Sequence, residues 1–197
     1  MTHSAPHNRD AAPEPAIDLG QYRANRSFAY LALRGAWACF RPAFWPGTPR
    51  RLSFLRILLL RLFGARIGSR SLVCGGVRVW EPWSLTMGRF SVLGDNVDVY
   101  NLAPISIGSN VVVSQRAFLC SASHDYKNTA FPLFAKPIII HDNAWIAAQS
   151  YVGPGVTIGN GAVIGACSVV TRDMPDWMIC AGNPCRPIKP RVLMSST

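Results

Sequence analysis

A six-residue repeat constrains this chain more than any other feature of its sequence. From residue 67 onward, an aliphatic residue followed by a small or polar one recurs every six positions, and the helical period is absent. A fixed short period of this kind predicts a solenoid, in which each repeat stacks on its neighbours. The fifteen apolar anchors of the repeat are Ile67, Val73, Val79, Met87, Leu93, Val99, Ile107, Val113, Leu119, Ile140, Ile146, Val152, Ile158, Ile164 and Val170.

The interruptions of the repeat predict the shape of one coil. Val79 and Met87 are eight residues apart, as are Val99 and Ile107, and each of these intervals follows three hexads. A coil of three short strands, with six residues to a face, explains the hexad and places a two-residue bulge at one corner. The sequence therefore predicts an all-β fold, a parallel β-helix of triangular section over residues 67–174. The anchors should point inward, together with small residues four positions after them.

The chain before the repeat has a different composition. Residues 1–25 are rich in Ala, Pro, Asn and His and predict a flexible tail. In residues 26–66, the stretches 27–41 and 52–65 have helical character and are separated by prolines and a glycine. Arg34 and Arg41 are expected to form a polar stripe on the first helix, and the arginines of the second to be distributed around it.

The basic charge lies mainly in this N-terminal part. Residues 1–66 hold ten basic and three acidic residues, a net +7, whereas residues 67–197 hold ten against seven, a net +3. Between Arg23 and Arg66 there are nine arginines and no acidic residue, interleaved with aromatic residues. We expect this segment to cap the β-helix, to contact an anionic membrane surface, or to do both.

Several classes of protein are disfavoured. Arginines interrupt every apolar run long enough to span a membrane, and the first 18 residues lack the apolar core of a secretory signal. We therefore expect a cytoplasmic protein whose six cysteines are reduced thiols, without the Cys-x-x-Cys pairs of a structural zinc site. A sequence pI near 9.9 suggests nucleic acid, but the basic region carries no reading motif and is rich in leucine, so no nucleic-acid partner is expected.

The largest departure from the repeat is a candidate site. Leu119 and Ile140 are 21 residues apart, so residues 120–139 leave the β-helix as an extended loop that contains His124. His124 is the candidate general base, because imidazole can accept a proton from an alcohol near neutral pH. An isolated loop histidine is more often simply solvated. Cys120 as a nucleophile is the alternative, although its place beside an inward anchor favours packing.

Residues 67–190 resemble the hexapeptide-repeat acyltransferases, which are built on a left-handed β-helix. His124 stands five residues after an anchor, as the catalytic histidine does in the galactoside and maltose acetyltransferases. The resemblance implies transfer of acetyl from acetyl-CoA to a sugar hydroxyl with His124 as general base, no metal, and a homotrimer with CoA between neighbouring subunits. Over residues 27–191, the motifs Tyr-Asn-Leu-Ala-Pro-Ile, Phe-Pro-Leu-Phe-Ala-Lys-Pro and Ala-Gly-Asn-Pro-Cys-Arg-Pro-Ile-Lys-Pro look like the colanic-acid type of exopolysaccharide acetyltransferase.

The same resemblance implies the rest of the site. The motif Asn-Ala-Trp-Ile-Ala-Ala at residues 143–148 assigns the backbone N–H of Ala148 to the oxyanion, and Trp145 to contact with CoA. Further CoA contacts are implied at Ala166, Thr171 and Arg172, and at Arg186 and Lys189 in the C-terminal tail, residues 175–197. From their corner positions beside the second bulge, the candidate acceptor contacts are Asp98, Tyr100 and Asn101.

Alternatives to this function remain open. The acceptor could be a sugar or lipid-linked oligosaccharide, or a small free molecule such as serine, an antibiotic or a nucleotide-linked amino sugar. A non-catalytic β-helical scaffold is the alternative from another class. A zinc carbonic anhydrase on this fold needs three histidine ligands, and the repeat region offers only His124 and His141.

Overall fold

A computed structural model describes residues 16–21, 26–44 and 47–194. Two α-helices precede a left-handed parallel β-helix, which confirms the predicted fold. The helices are α1, Phe28–Cys39, and α2, Ser53–Leu62, and short 3-10 helices span Leu19–Gln21, Arg41–Phe44, Arg50–Leu52 and Pro82–Ser84. The strands are β1 Arg66–Ile67, β2 Leu72–Val73, β3 Arg78–Val79, β4 Leu85–Met87, β5 Val92–Leu93, β6 Asp98–Tyr100, β7 Ile105–Ile107, β8 Val112–Val113, β9 Phe118–Cys120, β10 Ala122–His124, β11 Leu133–Ala135, β12 Ile138–Ile140, β13 Trp145–Ile146, β14 Tyr151–Val152, β15 Thr157–Ile158, β16 Val163–Ile164, β17 Val169–Val170, β18 Met178–Gly182 and β19 Cys185–Pro190. None of the described helices is long and apolar enough to cross a bilayer.

Three parallel sheets form the faces of the β-helix. The first contains β1, β4, β7, β12 and β15; the second contains β2, β5, β8, β13, β16 and β18, with β19 at its edge; the third contains β3, β6, β9, β14 and β17. We call the corner from the first to the second sheet the first edge, the corner from the second to the third sheet the second edge, and the corner from the third sheet to the next coil the third edge.

The repeat anchors form the core of this prism. All fifteen are buried, the most exposed being Ile67 at 7%. Anchors of successive coils pair in register, as in Ile67 with Met87 and Met87 with Ile107. The small residues four positions after an anchor are buried as well, Ala117 and Ser150 among them. One continuous apolar column therefore runs through the stacked coils.

Small residues at the first edge are required by the coil that follows. A Cβ atom built on Gly88 would lie 2.6 Å from the carbonyl carbon of Gly108 and 2.6 Å from the backbone nitrogen of Ser109. Contacts this short are with backbone, which cannot move without disturbing the ladder. The glycine after the anchor is thus a consequence of coil stacking.

The helix α2 covers the first coil. Its inner face presents Ser53, Arg56 and Leu60, all buried, and the Ser53 hydroxyl accepts a hydrogen bond of 2.8 Å from the backbone N–H of Val73. Because a β-helix ends in an open apolar column, burial of a residue such as Leu60 there stabilises the fold by about 1.5–3 kcal/mol.

Arg56 is fully buried, although the sequence suggested arginines distributed around α2. Its guanidinium donates to the carbonyls of Ala43 at 3.3 Å, Val73 at 3.1 Å and Thr48 at 3.3 Å. Burial lowers the pKa of Arg56, since the charged form loses water. These bonds join α2, the segment before it and the first coil.

The helix α1 lies against the third sheet. The indole N–H of Trp37 donates to the carbonyl of Val79 at 2.8 Å, and the guanidinium of Arg34 lies 4.8 Å from the ring centre of Trp80. The expected polar stripe is therefore wrong for Arg34, which faces the β-helix because an aromatic ring is available there. Arg41 lies beyond the end of the helix, and its side chain falls outside the described residues.

The segments predicted as an extended loop and as a C-terminal tail both contain strands. The extended loop contains the antiparallel strands β10 and β11, and the C-terminal tail extends the second sheet through β18 and β19. Of the predicted flexible tail, residues 1–15 and 22–25 lie outside the described residues. Within 16–21, the backbone N–H of Asp18 donates to the carbonyl of Thr129 in the hairpin loop at 2.9 Å.

The close approach at Gly88 gives a stability prediction. Gly88→Ala should lower the free energy of unfolding by about 1–3 kcal/mol, because its Cβ collides with the next coil. Gly35→Ala is the matched control, since nothing lies within 4 Å of a Cβ there in helix α1, and it should raise the free energy by about 0.5–1 kcal/mol. Urea unfolding at a fixed protein concentration measures both. Equal effects of the two substitutions would contradict this description of the edge.

Candidate functional site

The hairpin formed by β10 and β11 carries His124 and is attached to the second bulge of the β-helix. Its base is Ser121, a fully buried residue whose hydroxyl donates to the carbonyl of Tyr100 at 3.1 Å and accepts from the N–H of Ala103 at 2.9 Å. The N–H of Lys136 on the returning strand donates to the Ser121 carbonyl at 2.8 Å. The hairpin therefore leaves the third edge in a fixed direction.

His124 is held by a backbone carbonyl. Its Nδ1 lies 2.8 Å from the carbonyl oxygen of Phe131, and the two rings stack with centroids 4.6 Å apart and 9° between their planes. A carbonyl oxygen can only accept, so Nδ1 carries the proton and, in the neutral ring, Nε2 carries the lone pair. This is the tautomer and the restraint that a general base requires.

Cys120 packs beside the site instead of opening onto it. The thiol is buried and lies 3.1 Å from the carbonyl oxygen of Ala122. Burial, with a smaller contribution from Cys120, raises the pKa of the neighbouring Tyr151 to about 12. This apolar setting agrees with the expectation that Cys120 packs, and leaves His124 as the candidate for proton transfer.

Trp145 projects outward from the second sheet. The side chain is 45% exposed, and its indole N–H donates to the hydroxyl of Ser114 at 2.9 Å. Within one chain, Trp145 and His124 belong to different parts of the prism, the second sheet and the third edge. A single subunit does not bring them onto one face.

Ala148 and Ala166 lie at the second edge in successive coils. The N–H of Cys167 donates to the carbonyl of Ala148 at 2.9 Å, which stacks the two turns. Among the residues that the structure describes, the N–H of Ala148 has no hydrogen-bond acceptor. Small side chains and an unused donor leave room at this edge for a ligand that hydrogen-bonds to backbone.

The cationic candidates are exposed at two places. Thr171 and Arg172 lie at the third edge, the same edge from which the His124 hairpin departs. Arg186 and Lys189 lie on β19, where Arg186 donates to the carbonyl of Cys185 at 2.8 Å. Both positions could contact phosphate groups.

Two of the three acceptor candidates, Asp98 and Tyr100, are only partly buried and lie on the third sheet. Asp98 pairs with Arg78 through one carboxylate oxygen, while its Oδ1 has no hydrogen-bond partner in the described chain. Tyr100 is half-buried and packs edge-on against Trp80, with ring centroids 4.7 Å apart.

Asn101 is a structural residue, and its prediction as an acceptor contact is not supported. It is fully buried, its amide oxygen accepts from the N–H of Glu81 at 2.9 Å, and its amide nitrogen donates to the Glu81 carbonyl at 2.6 Å. The side chain thus joins the two bulges. The sequence placed Asn101 at a corner but did not show that its side chain turns inward onto the backbone of the first bulge.

The sequence also missed the groups that position His124. Ser121 and Phe131 act through a buried hydroxyl and a backbone carbonyl, and neither follows from the repeat. The sequence pointed to Ser121 only through its position, because it is a hydroxyl residue directly after β9 at the start of the extended loop. No group of three or more metal-ligating side chains occurs in the described part of the chain.

The sequence of this chain is similar to those of known transferases. Residues 137–172 match a family model described as bacterial transferase hexapeptide (six repeats). The chain is 40% identical over 156 residues to the putative colanic acid biosynthesis acetyltransferase WcaF of Escherichia coli K12, covering 79% of this chain and 86% of that protein. It is 33% identical over 134 residues to the galactoside O-acetyltransferase of Escherichia coli K12, with 66% of each covered.

The fold of this chain is also similar to that of a solved acetyltransferase structure. A hexapeptide-repeat acetyltransferase from Vibrio cholerae, crystallised with acetyl-CoA, superposes with a TM-score of 0.76 at 28% sequence identity. The alignment covers 83% of this chain and 90% of that one.

The thiols give a prediction that checks the burial pattern around the site. All six cysteines are free, with Cys39 and Cys167 exposed and the other four buried. Burial raises the pKa of Cys180 to about 11, which leaves little thiolate at neutral pH. Iodoacetamide followed by mass spectrometry should therefore modify Cys39 and Cys167 first, and the others only in denaturant. Early modification of Cys180 would contradict the fold at the C-terminal end.

Proposed function

This chain belongs to the hexapeptide-repeat transferase family, and we propose that it moves acetyl from acetyl-CoA to a sugar hydroxyl in exopolysaccharide synthesis. It is an acyl-CoA-dependent O-acetyltransferase. The relative named for colanic acid biosynthesis supports a sugar of an exopolysaccharide, or its lipid-linked precursor, as acceptor.

The observation that carries the proposal is the restraint on His124. With Nδ1 donating to the Phe131 carbonyl at 2.8 Å, Nε2 is the atom that accepts a proton. The acceptor hydroxyl gives its proton to Nε2 as its oxygen attacks the thioester carbonyl of acetyl-CoA. Collapse of the tetrahedral intermediate breaks the C–S bond, and the departing thiolate of CoA takes the proton from the imidazolium.

The oxyanion of that intermediate needs a donor that is already in place. We assign this role to the backbone N–H of Ala148, which is not used by the described chain. A backbone donor at a fixed edge pays no reorganisation cost when charge develops. The side chain of Ala148 is small enough to let the thioester approach.

CoA binding is assigned to the second edge and the second sheet, with Thr171 and Arg172 contributed from the third edge. Ala148 and Ala166 would line the pantetheine arm, with the half-exposed indole of Trp145 against it. Thr171, Arg172, Arg186 and Lys189 are exposed and supply hydroxyl, guanidinium and ammonium donors for the remainder of the cofactor. The family's structure with bound acetyl-CoA supports the donor.

A homotrimer would complete the site. His124 and Trp145 lie on different parts of one prism, so a neighbouring copy must supply one of them. The second sheet has a mainly apolar outer surface that a copy could cover, with Leu72 at 37%, Val112 at 40% and Trp145 at 45% exposed. We therefore propose that each active centre combines His124 of one subunit with CoA contacts of another. The acceptor would lie near the partly exposed side chains of Asp98 and Tyr100.

His124→Ala tests the catalytic assignment. It should lower kcat about 10²–10⁴-fold, because the acceptor hydroxyl loses its base, and should leave KM for acetyl-CoA nearly unchanged. Initial rates are measured as CoA thiol release with a panel of mono- and oligosaccharide acceptors. Cys120→Ala is the matched control, and its kcat should stay close to that of the parent chain.

Two results would contradict the proposal. If His124→Ala keeps its kcat while Cys120→Ala loses it, the nucleophile model replaces the general base. If sedimentation equilibrium gives the monomer mass of 21.5 kDa for the active protein instead of three times that value, the shared centre is wrong.

A further inference from the structure

The charge of this chain is concentrated at the end of the β-helix that α2 covers. Residues 19–80 contain eleven basic residues, all arginines, and no acidic residue, a net +11. The remaining residues hold nine basic and ten acidic residues, a net −1. Residues 19–80 comprise both helices and the first coil, so this part of the chain is strongly basic, and it is contacted by the acids Glu81, which accepts from the Tyr30 hydroxyl, and Asp98, which pairs with Arg78.

The same end exposes large apolar side chains. Along the outer face of α2, Phe54 is 67%, Leu58 is 59% and Leu62 is 74% exposed, opposite the buried Arg56 and Leu60. Spacing of four residues puts these three side chains in one row. No other element of the described chain covers this row.

The helix α1 adds to this surface. Phe28 is 86% and Leu31 is 55% exposed, and the residues that face outward between them and the end of the helix carry no charge. The helices meet at their C-terminal ends, where the rings of Phe40 and Phe63 are 5.3 Å apart. The two helices are therefore in contact at these ends, where Phe40 is itself 39% exposed.

Arginines border these apolar rows. Arg51 precedes α2 and is exposed, and Arg61 lies beside Leu62 with its guanidinium bound to the carbonyl of Ile67. Arg26 precedes α1 and lies 4.7 Å from the ring centre of Tyr30. Guanidinium groups beside exposed leucine and phenylalanine match the boundary between phosphate headgroups and acyl chains.

We propose that this surface, formed by the outer faces of α1 and α2 with Arg26, Arg51 and Arg61, docks on an anionic lipid bilayer. The charge argues against a second copy of the chain as the occupant, because two such basic ends would repel each other. Docking is peripheral, since no described helix can cross the bilayer. A trimer related by a threefold axis would point three such ends in one direction, and binding would gain from multivalency.

Vesicle flotation with the full-length protein tests the proposal. The probes are phosphatidylcholine vesicles with and without phosphatidylglycerol, at low and high salt. Binding is expected to the anionic vesicles and to weaken with salt. Combining Phe54→Ser, Leu58→Ser and Leu62→Ser should weaken it about tenfold or more, because three exposed side chains no longer enter the interface. Arg26→Gln and Arg51→Gln should each weaken it about fivefold.

Matched variants control for composition. Val192, Leu193 and Met194 are also exposed, at 82%, 61% and 93%, but lie at the C-terminal end of the chain, so their combined change to serine should leave vesicle binding unaltered. Arg89→Gln and Arg116→Gln, outside residues 19–80, should have little effect.

The outcome separates this proposal from the enzymatic one. Equal binding to both kinds of vesicle, or an undiminished affinity of the triple α2 variant, would overturn docking on anionic lipid. No binding by protein that still turns over acetyl-CoA would also overturn it, and would leave the proposed activity intact. Loss of turnover with vesicle binding retained would count against the activity alone.

Discussion

No single coil of this β-helix can bury its own apolar residues, and the rest of the structure depends on that fact. Each anchor, such as Leu93 or Ile146, is covered by the anchors of the coils above and below it and by two others in its own coil. The core is therefore one narrow column, which demands small residues at the edges and a cover at each end. Helix α2 with its buried Arg56 covers the first coil, and the hairpin of β18 and β19 follows the last.

The regular stacking of the core tolerates few inserted residues inside the column but allows insertions at its edges. Additional residues are accommodated where one sheet turns into the next, and there they form the two bulges and the His124 hairpin. The bulges stack through Asn101, and the hairpin is attached to the second bulge through Ser121. The solenoid thus fixes where the inserted segment begins, and the Phe131 carbonyl of that segment orients the His124 ring. Because His124 at the third edge and Trp145 on the second sheet lie apart within one subunit, an active site that uses both would be shared between neighbouring subunits.

The sequence predicted the features that depend on local residue spacing. It did not predict the orientation of side chains that is determined by contacts with residues distant in the chain. The hexad identified every anchor as buried, and it located the hairpin, because both follow from counting residues. Arg34 and Arg56 turn inward because Trp80 and the carbonyls of Ala43 and Val73 happen to lie there. Asn101 was misplaced for the same reason. The partner of His124 is a main-chain carbonyl, and a main-chain group leaves no mark in the sequence.

Calorimetric titration of the folded protein with CoA and acetyl-CoA tests the central claim most directly, because it requires no knowledge of the acceptor. The account predicts binding in the micromolar range, about −8 kcal/mol, weakened in Trp145→Ala and Arg186→Ala but not in Arg116→Ala. Absence of binding by a folded trimer would contradict an acyl-CoA-dependent transferase. The chain would then be a β-helical scaffold on which His124 has no catalytic task.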